Sequence, residues 1–111
     1  MTDREELAET EASFRETNEA IARTAERFGV QEPEFLCECA DPSCVHRVAA
    51  SLEAYEEVRS DSTRFIVEPG HERPEIEKVV GAGDDYRVVE KTGGLMRAIV
   101  RHLDPRRLRP R

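Results

Sequence analysis

The sequence is poor in the residues that build a large apolar core. It has no tryptophan, aromatic residues make up 5% of its 111 positions, and hydrophobic residues make up 38%. A chain of this length fits a single domain, and a small domain buries a smaller share of its surface than a large one. The composition therefore indicates that a bound metal, an oligomer interface or both contribute to stability.

Long hydrophobic runs are also missing. No apolar stretch approaches the roughly 20 residues needed to cross a bilayer. The polar segment 2–6 lacks the apolar region of a secretory signal. We therefore expect a cytoplasmic protein with no membrane contact, in a compartment where thiols stay reduced. Three cysteines, an odd number, do not form a disulfide framework either.

The net negative charge is unevenly distributed along the chain. The net charge is −7, although the last seven residues include Arg106, Arg107, Arg109 and Arg111. An acidic body repels the phosphate backbone, so the composition argues against a broad nucleic-acid-binding face. The arginine tail is the one segment through which nucleic acid could bind.

A long helix is predicted at the N-terminus. Thr2 and Glu5 have the spacing of a capping box, and Gly29 is a typical helix end after Phe28. The large apolar residues of this helix occur once per heptad, at Leu7, Phe14, Ile21 and Phe28. So narrow a stripe is compatible with packing on the chain's own domain, or with pairing to a partner protein or a second copy.

The remaining pattern predicts an α+β fold. Strands are expected at 34–39, 45–49, 65–67, 76–80 and 86–91, and helices at 52–59 and 95–104. The expected architecture is a long N-terminal helix and a small, mostly antiparallel sheet with short helices and one zinc site. We divide the chain into an N-terminal helix (1–29), a zinc-stabilised α+β domain (33–104) and a disordered basic tail (105–111).

The candidate metal site is the cluster Cys37, Cys39 and Cys44. Residues i and i+2 of a strand point to one face, so Cys37 and Cys39 would present two sulfurs side by side. The turn at 41–43 would fold Cys44 back towards them. Zinc prefers four tetrahedral sulfur and nitrogen ligands, which makes it the expected ion.

The fourth ligand is open between two histidines. His46 lies two residues beyond Cys44, whereas His71 follows a Pro-Gly turn and would tie two distant segments together. A carboxylate or a water could also take this position. His102, in the predicted last helix, is expected to be an ordinary surface residue. Buried core thiols, redox or iron–sulfur chemistry and a catalytic metal are the alternative interpretations of the cysteines.

The chain resembles a set of small acidic actinobacterial proteins. The likeness rests on Phe35-Leu36-Cys37-Glu38-Cys39 with Cys44, on residues 52–59, on 64–67 with Pro69-Gly70-His71-Glu72, and on 88–91. The resemblance implies that the Pro-Gly-His-Glu segment belongs to the same motif as the cysteines. It also implies a residue other than histidine at position 46, and both points favour His71 as the fourth ligand. It implies no activity.

Function is the least determined property of the sequence. Phosphate-binding glycine loops and serine-nucleophile motifs are absent. We therefore expect a non-enzymatic, zinc-stabilised interaction or regulatory domain with an unidentified partner. The alternatives are a nucleic-acid-associated regulator that uses the arginine tail and a small zinc-dependent enzyme, in which Glu38 or Glu72 would act as a base.

Overall fold

The computed structural model describes residues 3–108 and confirms the α+β class. Three α-helices are present: α1 (Arg4–Phe28), α2 (Leu52–Arg59) and α3 (Gly94–His102), followed by a 3-10 helix, Pro105–Leu108. Five strands accompany them: β1 (Glu34–Leu36), β2 (Arg47–Ala49), β3 (Arg64–Val67), β4 (Glu77–Ala82) and β5 (Arg87–Lys91). In the described range, no helix is long and apolar enough to span a membrane.

The strands form two antiparallel sheets instead of one. β1 pairs with β2, and the second sheet has the order β3-β5-β4. The chain leaves the first sheet at Cys37 and crosses to the outer edge of β3. There the backbone N–H of Glu38 donates to the carbonyl of Ile66 at 2.8 Å. The segment that carries two of the cysteines therefore connects the sheets.

Three of the four sheet edges have polar partners. Asn18 bonds to the outer edge of β1 at Leu36, and the Asp85 carboxylate accepts from the Ala49 N–H of β2 at 2.9 Å. The segment 37–39 covers β3. For β4, no described residue outside β5 bonds to the backbone of 78–82; a bulge between Val79 and Gly81 interrupts this strand instead.

Helix α1 ends as predicted but begins with a different cap. The Asp3 carboxylate accepts from the Glu6 N–H at 2.8 Å, so Asp3 is the N-cap; Thr2, the predicted cap, lies outside the described residues. At the other end, Gly29 takes the left-handed conformation with a φ of 75°. Glycine adopts this conformation without the Cβ clash that other residues suffer.

The buried face of α1 differs from the predicted apolar stripe. Phe28 is 70% exposed, and Phe14 and Ile21 are only half-buried. Of the predicted stripe only Leu7 is buried, and the other buried positions are small or polar: Ala8, Glu11, Ala12, Arg15, Asn18, Glu19, Ala22 and Ala25. The largest apolar side chains do not mark the buried face, because the alanines allow the backbone to approach the sheet and the polar residues find partners there.

Buried ion pairs hold the N-terminal half of α1. Glu11 and Glu77 both contact the ammonium group of Lys91, and all three side chains are at most 2% exposed. Burial raises the pKa of Glu11 to about 7, although Lys91 opposes the shift. Arg15 donates to the carbonyls of Ser62 and Val100 at 2.7 and 2.9 Å. These contacts attach the helix to β4, β5 and α3.

The C-terminal half of α1 is held by Glu19. Its carboxylate accepts from Tyr55 at 2.9 Å and pairs with Arg59 and Arg106. Arg106 also pairs with Glu56 at 2.8 Å. The prediction that the tail is disordered from 105 onwards was therefore wrong for 105–108, because these pairs anchor the 3-10 helix. The rest of the predicted tail, 109–111, lies outside the described residues.

Two apolar clusters complete the core. One lies between the three-stranded sheet, α1 and α3, and includes Phe65, Val89 and Met96 together with Cys37 and Cys39. The other lies under α2, where the rings of Phe35 and Tyr55 stack with centroids 4.3 Å apart. The cysteines therefore lie at the border of the first cluster, where buried side chains hold their backbone.

Candidate metal centre

Two turns bring the candidate ligands together. The Asp41 carboxylate accepts from the backbone and hydroxyl of Ser43, and the Asp41 carbonyl accepts from Cys44 N–H at 3.0 Å. This turn folds Cys44 back towards Cys37, as the sequence predicted. In the second turn, Gly70 has a φ of 94°, and the His71 N–H donates to the carbonyl of Glu68 at 2.9 Å.

The four side chains converge on one point. The three sulfurs and a ring nitrogen of His71 lie within 4.8 Å of one another. Nδ1 of His71 is 3.5 Å from Sγ of Cys37 and 3.6 Å from Sγ of Cys44. A tetrahedral zinc ion with ordinary bond lengths separates sulfur and nitrogen ligands by about 3.6 Å. Cys37, Cys39, Cys44 and His71 thus form a potential metal-binding site whose spacing and donor atoms fit zinc.

The surroundings favour a thiolate in this cluster. A hydrogen bond between the Cys37 and Cys39 thiols raises the pKa of Cys37 and lowers the pKa of Cys39 to about 5. The backbone N–H of Glu68 donates to Sγ of Cys37 at 3.2 Å, an interaction that stabilises negative charge on sulfur. Metals bind the thiolate form, and the lowered pKa of Cys39 favours that form of its sulfur.

His46 lies next to the cluster but outside it. Its Nδ1 is 2.5 Å from Oε2 of Glu68, and its ring meets that of His71 edge-on with centroids 4.8 Å apart. The same Glu68 oxygen is 3.4 Å from Nε2 of His71, the nitrogen that faces away from the sulfurs. Glu68 is thus the carboxylate neighbour of His71, while Glu72 bonds to the Gly70 N–H. His102 is exposed on α3.

Glu38 has a role that the sequence did not reveal. Its side chain is fully buried between the two cysteines, where Oε1 accepts from Ile66 N–H at 3.0 Å and Oε2 from the Asn18 amide at 2.8 Å. Asn18 also bonds to both backbone groups of Leu36, at 2.7 and 2.9 Å. Burial raises the pKa of Glu38. These bonds connect α1, β3 and the candidate ligands.

Burial and donor count define what the cluster can do. Cys37 and Cys39 are 1% and 4% exposed, and Cys44 and His71 are half-buried. Four protein donors complete a tetrahedron, which is typical of structural metal sites, whereas catalytic sites keep a position open for water or substrate. Both carboxylate oxygens of Glu38 accept hydrogen bonds, from Asn18 and from Ile66. Comparison with protein-family models, curated proteins and solved structures finds no match.

Proposed function

We propose that the protein is a non-enzymatic, zinc-stabilised interaction domain of a reducing compartment. The observation that carries the metal part is the convergence of three sulfurs and Nδ1 of His71 at the spacing of a zinc tetrahedron. Soft thiolates favour zinc over magnesium, calcium or manganese. Iron–sulfur clusters are usually held by four cysteines, whereas this chain has three.

The ion would join three segments of the chain. It links the end of β1, the 41–44 turn and the 69–71 turn, which come from both sheets. Through Glu38 and Asn18, the same loop contacts α1. A ligand that binds only the folded state stabilises that state by its binding free energy. Folding and metal binding are therefore coupled in this proposal.

Metal content and thermal unfolding test this part together. Protein prepared without chelator should contain close to one zinc per chain by elemental analysis, and EDTA should lower the Tm or abolish the cooperative transition. Protein that contains no metal would refute the zinc assignment. An unchanged Tm in EDTA would show that the ion is peripheral to the fold.

The interaction part rests on a groove beside β4. Val79 and Val80 are 49% and 39% exposed. Next to Val80 a groove of about 230 Å³ opens between α2 and the sheet, and its lining mixes apolar residues with polar and charged ones: Val58, Val80 and Val88 with Glu57, Arg64 and Tyr86. Arg64 pairs with Glu90 at 3.0 Å. This mixed lining favours a partner segment that carries both apolar and polar side chains.

Affinity capture from native lysate with matched variants tests the groove. A partner identified by mass spectrometry should be retained by wild type and by Leu95→Glu, which changes a more exposed apolar residue, on α3. Val80→Glu should lose it. If wild type, Leu95→Glu and Val80→Glu all capture the same proteins, the groove is refuted as the binding surface. A wild-type dimer in light scattering that Val80→Glu turns into a monomer would identify the occupant as a second copy.

A further inference from the structure

A second cluster of metal-binding groups lies on the solvent side of the candidate zinc site. His46, Glu68 and His71 each offer a ligand atom, and these atoms lie within 4.8 Å of one another. The side chains are 54%, 32% and 28% exposed, so solvent reaches this cluster more easily than the cysteines. The donors are two nitrogens and one oxygen, a ligand set of zinc sites that keep a fourth position open for water or substrate.

The Glu68 carboxylate is the unusual group here. Its Oε2 atom is buried and has no aligned hydrogen bond within the described residues, even though Nδ1 of His46 is 2.5 Å away. A buried carboxylate oxygen without a donor is costly. A cation placed between Oε2 and the two histidines would satisfy it.

The distances allow such an ion with little rearrangement. Oxygen and nitrogen ligands of a tetrahedral zinc are separated by about 3.3 Å. Oε2 of Glu68 and Nε2 of His71 are already 3.4 Å apart. The His46 ring must move outwards by about 0.8 Å for its Nδ1 to reach that separation from Oε2 of Glu68. It has room to move, because it is more than half exposed.

We propose that His46, Glu68 and His71 form an outer divalent-metal site that shares His71 with the inner one. This inference rests on the proposed zinc function, because Nδ1 of His71 faces the cysteines and Nε2 faces Glu68. An ion at Nε2 replaces the remaining ring proton, which passes to solvent, and the imidazolate then joins the two ions. No electrons are transferred. The outer ion exchanges faster than the inner one because its ligands are exposed.

Cadmium titration followed by ¹¹³Cd NMR separates the two sites, since thiolate ligands shift the resonance far downfield of nitrogen and oxygen ligands. Wild type should give a downfield signal at the first equivalent and an upfield signal at the second. His46→Ala should keep the first signal and weaken binding at the second site by at least about tenfold. His102→Ala, which removes another exposed histidine, should keep both signals.

Two results would overturn the outer site. One is wild type that saturates with the downfield signal alone, which would leave Glu68 as a hydrogen-bond acceptor for His71. The other is an upfield signal that persists in His46→Ala, which would place the ion elsewhere on the acidic surface. A missing downfield signal would count against the inner zinc site instead, and the upfield signal would still be judged by its dependence on His46.

Discussion

Asn18 is the side chain through which α1 contacts the metal-binding loop. Asn18→Ala removes three hydrogen bonds of 2.7–2.9 Å and leaves the Leu36 backbone and one Glu38 oxygen without those partners. An unsatisfied buried polar group costs about 1–3 kcal/mol. The Leu36 backbone and the Glu38 carboxylate belong to one hydrogen-bond network through Asn18, so their costs are not simply additive. We expect the free energy of unfolding to fall by about 3–5 kcal/mol, a large part of the 5–15 kcal/mol typical of a domain.

Urea unfolding of the metal-loaded protein measures this change, and two further variants separate the causes. Thr17→Ala alters the exposed neighbour on the same helix and should change stability by less than about 0.5 kcal/mol. Asn18→Asp keeps the volume but loses both N–H donors and adds a carboxylate beside Glu38, so it should be at least as damaging as Asn18→Ala. A loss below about 1 kcal/mol in Asn18→Ala would refute the reasoning, because that is the cost expected of a bond that water can replace.

Three further predictions concern other parts of the molecule. His71→Ala should weaken inner-site metal retention at least about tenfold in competition with a chelator. Asp104→Asn should cost about 2 kcal/mol in urea unfolding at neutral pH. Burial raises the pKa of Asp104, but hydrogen bonds from Arg59 and Ser62 outweigh burial and lower the pKa from 3.8 to about 2. The stability that Asp104 contributes is therefore present above pH 3.8 and is lost as the pH falls towards 2. Gly83→Ala should lower the Tm and cost about 1–3 kcal/mol, because its Cβ would lie 2.2 Å from the ring of Tyr86.

Each of these three predictions has a control variant or a control condition. His46→Ala should keep inner-site retention near the wild-type value, and the reverse result would transfer the inner ligand to His46. The difference between wild type and Asp104→Asn should shrink on acidification, and a constant difference would contradict the ion-pair explanation. Gly81→Ala adds a Cβ at an ordinary 3.6 Å from Val88 and should be tolerated. Equal effects at Gly81 and Gly83 would exclude the Tyr86 clash as the cause.

Local patterns in the sequence predicted that the candidate ligands lie close together. The spacing of Cys37, Cys39 and Cys44 and the intervening turn are short-range features, and the structure brings them together although β1 ends at Leu36. His71 was favoured by a resemblance and by the logic of joining distant segments. The sequence does not determine which carboxylate lies beside His71: the 69–71 turn places Glu68 there, whereas Glu72 accepts from the Gly70 N–H.

The pairing of polar side chains that are far apart in the sequence could not be predicted. Lys91 lies 80 positions from Glu11, and no spacing rule connects them. The available signal was the series of alanines on α1, with charged residues between them at helical spacing, which marks a face that approaches the sheet closely. Large apolar residues do not mark this face. The same reason explains the tail, since the partners of Arg106 are Glu19 and Glu56.

The loop that carries Cys37 and Cys39 also shields β3. Its backbone and the Glu38 carboxylate occupy the hydrogen-bonding groups of Ile66, which would otherwise face outwards from the sheet. An open strand edge is a template for pairing with other chains, and unprotected edges lead to aggregation. If the proposed metal ligands hold this loop in place, loss of the ion would expose the β3 edge. Removal of the metal would then promote aggregation as well as unfolding.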